Sequence, residues 1–352
     1  MEMKIKRVRI SKKMQFQYAI VGFGPAGIFA LASLPIHHIG STLILEQKNI
    51  GGDLSTYYGG IKANLTKQEI VNAFRTIPRW QEKPLTSLQT YQDTECPLLC
   101  DVSKQIREWI LPDIALAQFH TKRMTQLTEV EQGWKVETDS NTFLVKKVIL
   151  CIGAQPKILN LPKHTIPLSI SLCKDLVKNQ VSPSDTIAVF GTSHSGTLIL
   201  QNLKELGCRQ VFAFYKGEKP FHYARDGEAG GIKQESAKIA DEIVGNHWGE
   251  YTPTFVNIDD FSQVYRIVSN ANSIIYSLGF EKVQQTYIDR QGNTLHLQHN
   301  PDTFQFQDIK YIWGFGFAFP SQSTHTNGKS YPIIGFKGFI DAIQQALPSI
   351  LE

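Results

Sequence analysis

The chain has little cysteine and no framework built from it. Cys96, Cys100, Cys151, Cys173 and Cys208 are scattered and odd in number. That excludes a secreted disulfide scaffold and leads us to expect a reducing, cytoplasmic setting. Low-complexity tracts and solenoid-period repeats are absent. No leader peptide is legible, because the basic start is not followed by a short apolar core and a small-residue cleavage site. One stretch imitates a membrane span: Tyr18 to Ile36 carries no charge. Its glycines sit at turn spacing and its pattern switches from strand to helix, so it reads as buried strand, loop and helix. Excess charge is also missing from the body of the chain. Of the formal net charge of +4, six basic residues against Glu2 place +5 in residues 1–13, leaving the remainder near −1. Such a balance excludes a nucleic-acid-binding body, and residues 1–14 read as a basic extension.

What is present is an α/β pattern long enough, at 352 residues, for two domains. "QYAIVGFGPAGIFALASL" and "STLILEQ" form a first βαβ unit. Helical patterns follow in "TKQEIVNAFRTI" and "DVSKQIREWILPDI". Alternation in "WKVETDS" and "TFLVKKVIL" then predicts an antiparallel meander. A second βαβ unit is "TIAVFGTSHSGTLILQNLKELGCRQVFAFY", and "YIWGFGFAFP" with a terminal helix closes the chain. The expected architecture is two Rossmann-like three-layer domains, the second inserted in the first. Residues 15–160 and 274–352 would bind FAD, and 161–273 NAD(P)H.

Gly22-Phe-Gly24-Pro-Ala-Gly27 matches GxGxxG between a strand and a helix. Gly22 permits the turn, Gly24 clears space for a pyrophosphate, and Gly27 lets helix and strand pack closely. Pro25 suits a first helical position, and Ala26 completes the loop. The helix N-terminus offers free N–H groups to phosphates. Glu46, at the end of the second strand, is placed to accept from ribose hydroxyls. FAD is favoured here, since a second dinucleotide loop and a late glycine turn (Gly314, Gly316) accompany the first.

The second loop, Gly191-Thr192-Ser193-His194-Ser195-Gly196, keeps the outer glycines. Ser193 is the smallest replacement with a Cβ, so a phosphate still approaches and its hydroxyl can donate. The following strand ends in Tyr215-Lys216, with no acid. A cation there, with Lys219 or Arg225, suits the 2′-phosphate of NADPH, with NADH left open. Among other candidates, Cys96 and Cys100 would share a helix face at i, i+4. His296 and His299 read as a turn-flanking surface pair. No metal site is expected.

With these motifs on the page, the sequence resembles the flavin-containing monooxygenase branch of two-dinucleotide-domain flavoproteins, over most of residues 17–350. "VGFGPAGIFA" resembles the FAD loop of that branch, and "GGDLSTYYGGIKANLTKQE" its GG-x-W…TN-T-S-K-E stretch. "VILCIGAQPKILNLP" looks like its ATG…P crossover, "GTSHSG" like its NADPH loop, and "SIIYSLGFE" like its second ATGF. The resemblance adds Gly52, Leu54 and Gly153 to the cofactor-binding residues. It implies that Asn64 lies beside the flavin and supports its oxygenated form; the alternative is a helix-capping Asn64. Leu54 stands where the pattern has Trp, and the Phe-x-Gly-xxx-His fingerprint is absent. The wider disulfide-reductase group is also similar, but its redox cysteine pair is missing. The resulting expectation is hydride transfer from NADPH to FAD, then to oxygen and a small nucleophilic substrate. Two alternatives are a flavin reductase with another acceptor and a largely non-catalytic FAD-binding regulator. The expected partner is a small-molecule substrate or electron acceptor, with a homodimer left open.

Overall fold

The computed structural model describes residues 15–224, 231–324 and 330–352. The basic extension 1–14 and Arg225 lie outside the described residues. Short apolar runs become strands buried on both faces, as parallel strands must be. β1 (Phe16–Val21) and β2 (Thr42–Leu45) pair in parallel, with Tyr18 opposite Thr42 and Val21 opposite Leu45. The helix between them, Pro25–Ser33, is apolar all round and buries every residue from Ala26 to Ala32. β3 (Gln118–His120) extends the sheet past β2. β4 (Met124–Val130), β5 (Gly133–Thr138) and β6 (Thr142–Leu150) form the antiparallel meander. β6 also runs parallel to β1, Ile149 opposite Ile20, and so joins the meander to the parallel core. β7 (Ala154–Pro156) then leaves this sheet.

A second sheet, entirely parallel, contains β8 (Thr165–Ile166), β9 (Thr186–Phe190), β10 (Gln210–Tyr215), β11 (Thr254–Asn257) and β12 (Ser273–Tyr276). Its order is β11-β10-β9-β12-β8. Ile187, Val189, Ile199, Leu200 and Leu203 pack its core beneath the helix His194–Glu205. A boundary at 273/274 would cut β12, whose partners β8 and β9 both lie in this second sheet. β13 (Phe280–Lys282) pairs antiparallel with β7, so the outgoing and returning chain cross side by side.

The chain rejoins the first sheet through β14 (Thr286–Ile288) against β4. β15 (Gln305–Phe306) pairs with β16 (Ile309–Gly314), which runs parallel to β6 with Trp313 opposite Ile149. The final helix, Phe336–Leu351, packs on Pro25–Ser33. Lys147 of β6 is buried, and its Nζ donates to the Ile350 carbonyl at 2.6 Å, satisfying an orphan acceptor at that helix's end. Among the described residues no helix is long and apolar enough to cross a membrane.

Candidate functional site

β1 ends where the backbone turns under a neighbouring strand. Gly22 has φ +87°, and a Cβ there would lie 2.2 Å from the Cys151 carbonyl oxygen. A Cβ on Gly27 would lie 2.2 Å from the Gly22 carbonyl oxygen. Both outer glycines are therefore demanded by protein contacts. Gly24 is different. It caps the helix with no side-chain hydrogen bond, and its Cβ would meet only the Gly51 carbonyl, at 3.9 Å. Gly52 closes in from the other side, where a Cβ would approach the Gly24 Cα to 3.1 Å. Gly24 and Gly52 thus carry no side chain into the space above the first helical turn, with Pro25 at its start, while the missing Cβ of Gly51 makes room for the Ser55 and Ser103 side chains. Phosphate oxygens fit such a cradle. The helix's other end is held by Arg79, which donates to the Leu31 carbonyl at 2.7 Å and the Ala32 carbonyl at 3.1 Å.

Glu46 follows β2 as expected, but its carboxylate is in use. Oε2 accepts from the Phe23 N–H at 2.6 Å and Oε1 from the Lys48 N–H at 2.8 Å. It ties the glycine loop to the next turn and keeps part of its acceptor capacity for a hydroxyl. Gly316 (φ +84°) meets the same helix, since a Cβ there would lie 2.9 Å from the Ala26 Cβ. Gly314 instead faces the Phe319 ring, at 2.6 Å from such a Cβ. Gly316 is therefore the glycine that brings the late turn to the first loop. Leu54 lies half-buried on the helix Gly52–Tyr57 against the first core, and Gly153 (φ +71°) borders open space.

The second loop repeats this geometry. Gly191 has φ +100° and would place a Cβ 2.3 Å from the Ser277 carbonyl oxygen. A Cβ on Gly196 would lie 2.0 Å from the Gly191 carbonyl oxygen. Even the strand contacts match: the Cys151 N–H donates to Val21 at 2.7 Å, and the Ser277 N–H to Phe190 at 2.7 Å. Ser193 caps the helix His194–Glu205 without a side-chain hydrogen bond and is exposed. Thr192 is buried and its hydroxyl donates to the Pro220 carbonyl. Burial, with Lys233 adding to the effect, lowers the His194 imidazole below the ordinary histidine range, while the His194 carbonyl accepts from Ser236 at 3.4 Å. Ser195 is half-buried beside it. Tyr215 ends β10, and Lys216 and Lys219 follow it exposed.

Three expectations need correction. Asn64 does not cap the helix Lys67–Arg75: Thr66 does, its hydroxyl accepting from the Glu69 N–H at 3.3 Å while Glu69 accepts from the Thr66 N–H at 2.7 Å. Asn64 is exposed in the preceding turn. Cys96 and Cys100 share no helix face, because Leu99 opens the helix and Cys96 precedes it. His299 is half-buried and tied down, unlike a free surface residue. Its Nε2 lies 3.1 Å from the Gly314 carbonyl oxygen, and its ring packs on Phe306 and Phe319 at 5.4 and 5.3 Å. Sequence reading also missed the Cys151 and Ser277 carbonyls. The available signal was that both stand two residues before the glycine that closes an apolar run, in "VILCIG" and "SIIYSLG".

No family model matches the chain. Solved structures match it along nearly its whole length. Bacillithiol disulfide reductase Bdr of Staphylococcus aureus gives a TM-score of 0.62 at 12% identity, covering 96% of this chain and 99% of that one. A flavin-containing monooxygenase of Stenotrophomonas maltophilia gives 0.58 at 12%, covering 96% and 99%. OTEMO, solved in complex with FAD and NADP, gives 0.60 at 11%, covering 97% and 85%. The fold is that of the two-dinucleotide-domain flavoproteins. In sequence, monooxygenase AgnR1 of Paecilomyces divaricatus is 24% identical over 383 aligned residues, 94% of this chain and 96% of the relative. Reductases and monooxygenases share this fold, so the choice between them turns on side chains.

Proposed function

We propose that the chain is an FAD-dependent, NADPH-using oxidoreductase of the monooxygenase kind. The observation that carries the two-cofactor reading is the doubled loop, in which Gly22 and Gly191 sit against the Cys151 and Ser277 carbonyls from equivalent strand ends, and Gly27 and Gly196 against the carbonyls of those first glycines. The first unit, residues 15–160 with the chain after β12, takes FAD. Its Gly22, Gly24, Pro25, Ala26, Gly27 and Gly52 shape the pyrophosphate cradle, Glu46 faces the ribose, and Gly316 with Gly153 admits the rest of the cofactor. The second unit, from residue 161 through Ser277, takes NADPH. Its helix N-terminus at Ser193 meets the pyrophosphate, and Lys216 neutralises the 2′-phosphate. When bound, the flavin accepts a hydride from the reduced nicotinamide and passes electrons on.

The cysteines support this reading over a disulfide reductase. Cys151 and Cys208 are buried, and burial raises their thiols above the ordinary range, which disfavours the thiolate at both. All five cysteines are free, which fits a reducing compartment such as the cytoplasm. The AgnR1 likeness and the FAD and NADP bound in OTEMO point the same way. Asn64, exposed before its helix, is the residue we propose to stand at the reacting face.

The test is spectroscopic. The purified protein is reconstituted with FAD, reduced with NADPH under argon, and exposed to air with methyl phenyl sulfide as probe. The expected result is loss of the visible flavin absorbance with NADPH, then its return in air with sulfoxide formed. Return without sulfoxide, together with fast ferricyanide reduction, would identify a non-oxygen acceptor. A yellow protein that NADPH does not bleach would identify the non-catalytic alternative. Failure to take up FAD would remove the reading.

A further inference from the structure

Four aromatic rings meet where the two cores touch. Tyr57 and Tyr58 have ring centroids 6.4 Å apart, Tyr58 and Phe280 6.4 Å, and Phe280 and Phe317 5.5 Å. Phe317 continues to Phe339 of the first core at 5.6 Å, while Tyr58 and Phe280 pack against the second core. The rings come from three separate segments, and each segment starts at a glycine loop. Tyr57 ends the helix that begins at Gly52, against Gly24. Phe317 directly follows Gly316, against Ala26. Phe280 stands just past Ser277, whose carbonyl faces Gly191.

Folding has not buried this surface. Tyr57 keeps 45% of its area exposed and Phe317 42%. A chain of aromatic rings exposed at both ends, beside two glycine loops, offers apolar surface on which a ligand can pack. Two ion pairs flank it. Lys48 pairs with Asp53 at 2.5 Å while lying 4.7 Å over the Tyr57 ring, and Lys62 pairs with Glu235 at 3.0 Å between the two units. A charged ligand would compete with those internal partners, whereas a neutral ring can pack on the exposed parts of Tyr57 and Phe317 and leave both pairs intact.

We infer that this seam binds an uncharged aromatic molecule, with Tyr57, Phe280 and Phe317 as its wall. Naming that molecule as the acceptor rests on the functional reading above; the binding itself does not. The experiment is equilibrium dialysis of the purified full chain against naphthol, decahydronaphthol and naphthalenesulfonate, with flavin content read from visible absorbance. Naphthol is expected to bind about tenfold more tightly than either analogue. Phe317→Leu, which keeps apolar bulk and removes the π face, should weaken naphthol about fivefold with an unchanged circular dichroism spectrum. Phe280→Leu should act in the same direction, and Ile36→Ala, at an exposed site elsewhere, should not.

Equal binding of naphthol and decahydronaphthol would overturn the inference. So would a Phe317→Leu protein that binds naphthol normally but loses FAD, since the wall would then face the cofactor. A protein that binds naphthol selectively yet is not bleached by NADPH would keep the aromatic site and remove its role in turnover.

Discussion

The two glycine loops share one backbone design and differ in what stands around the middle position. At Gly24 the space is bounded by Gly51 and Gly52, and a buried carboxylate, Glu46, fixes the neighbouring Phe23 amide. Ser193 stands in a different setting. The residue is exposed, and the neighbouring Thr192 is tied through its own hydroxyl to Pro220. The outer glycines are needed by the protein, because their missing Cβ atoms make room for carbonyls. The middle residue answers to the ligand. A Cβ at Gly24 would meet no protein atom closer than the Gly51 carbonyl at 3.9 Å, so what a side chain there would displace is the ligand. The strand ends separate the loops further: Glu46 suits hydroxyls, and Lys216 suits a phosphate.

The hardest way to break this comparison is to put a Cβ on the last glycine of either loop. Gly27→Ala and Gly196→Ala each drive a methyl to within 2.2 and 2.0 Å of a backbone carbonyl oxygen, respectively. Each should cost about 1–3 kcal/mol or more, because neither helix nor strand can yield cheaply. Gly27→Ala is expected to abolish FAD uptake. Gly196→Ala should leave the protein yellow and abolish bleaching by NADPH. Identical losses in both variants would mean the two units do not divide the cofactors.

A subtler exchange tests the middle position. Gly24→Ser should fold with near-normal stability, since its Cβ stands at ordinary contact distance from Gly51, 3.9 Å. Its FAD affinity should nevertheless fall by about tenfold or more, as the side chain fills the cradle. Ser193→Gly should leave NADPH affinity nearly unchanged. Flavin content after dialysis and an NADPH titration measure both, and equal tolerance at the two sites would show that the cradles are alike.

Both loops were legible in the sequence because they lie where a strand pattern gives way to a helical one, with glycines at fixed offsets. The meander and the terminal helix were legible for the same periodic reason. Contacts between distant segments were not. Nothing local to Gly191 announces Ser277, and nothing in "HLQH" tells that His299 will reach the Gly314 carbonyl. The boundary at 274 erred because β12 is a short apolar run whose partners are chosen by sheet order, not by its own composition. Asn64 as a cap failed through a competition only two residues wide: Thr66 had Glu69 three residues on, and a capping box outweighs a lone asparagine. Lys147 was unreadable for a related reason, since its acceptor is a terminal helix carbonyl supplied by the far end of the chain.

Lys216 sharpens the difference between the strand ends. Lys216→Ala should weaken NADPH about tenfold while changing NADH little, because a cation contacting a 2′-phosphate contributes about 1.5–3 kcal/mol that NADH never gains. The ratio of the two dissociation constants, measured on one preparation, reads this directly. Parallel weakening of both nucleotides would assign Lys216 to the shared part of the cofactor instead.

The smallest expected effect lies at the first helical position, Pro25 in one loop and His194 in the other. Burial, aided by Lys233, holds the His194 imidazole below the ordinary histidine value of 6.5. The helix N-terminus disfavours a cation there as well. Below about pH 6.5 the unfolded chain therefore binds this proton more readily than the folded one, so the second unit loses stability as the pH falls. Pro25 has no proton to gain at the matching helix position. His299, also lowered chiefly by burial, supplies the same sign of dependence from the first unit and persists in any His194 variant. Urea midpoints measured from about pH 7.5 to about pH 5 should thus fall less steeply in His194→Gln than in the parent chain, without becoming flat. Superimposable slopes would mean that His194 takes up its proton equally well in both states, and the contrast between the two helix starts would then be one of shape alone.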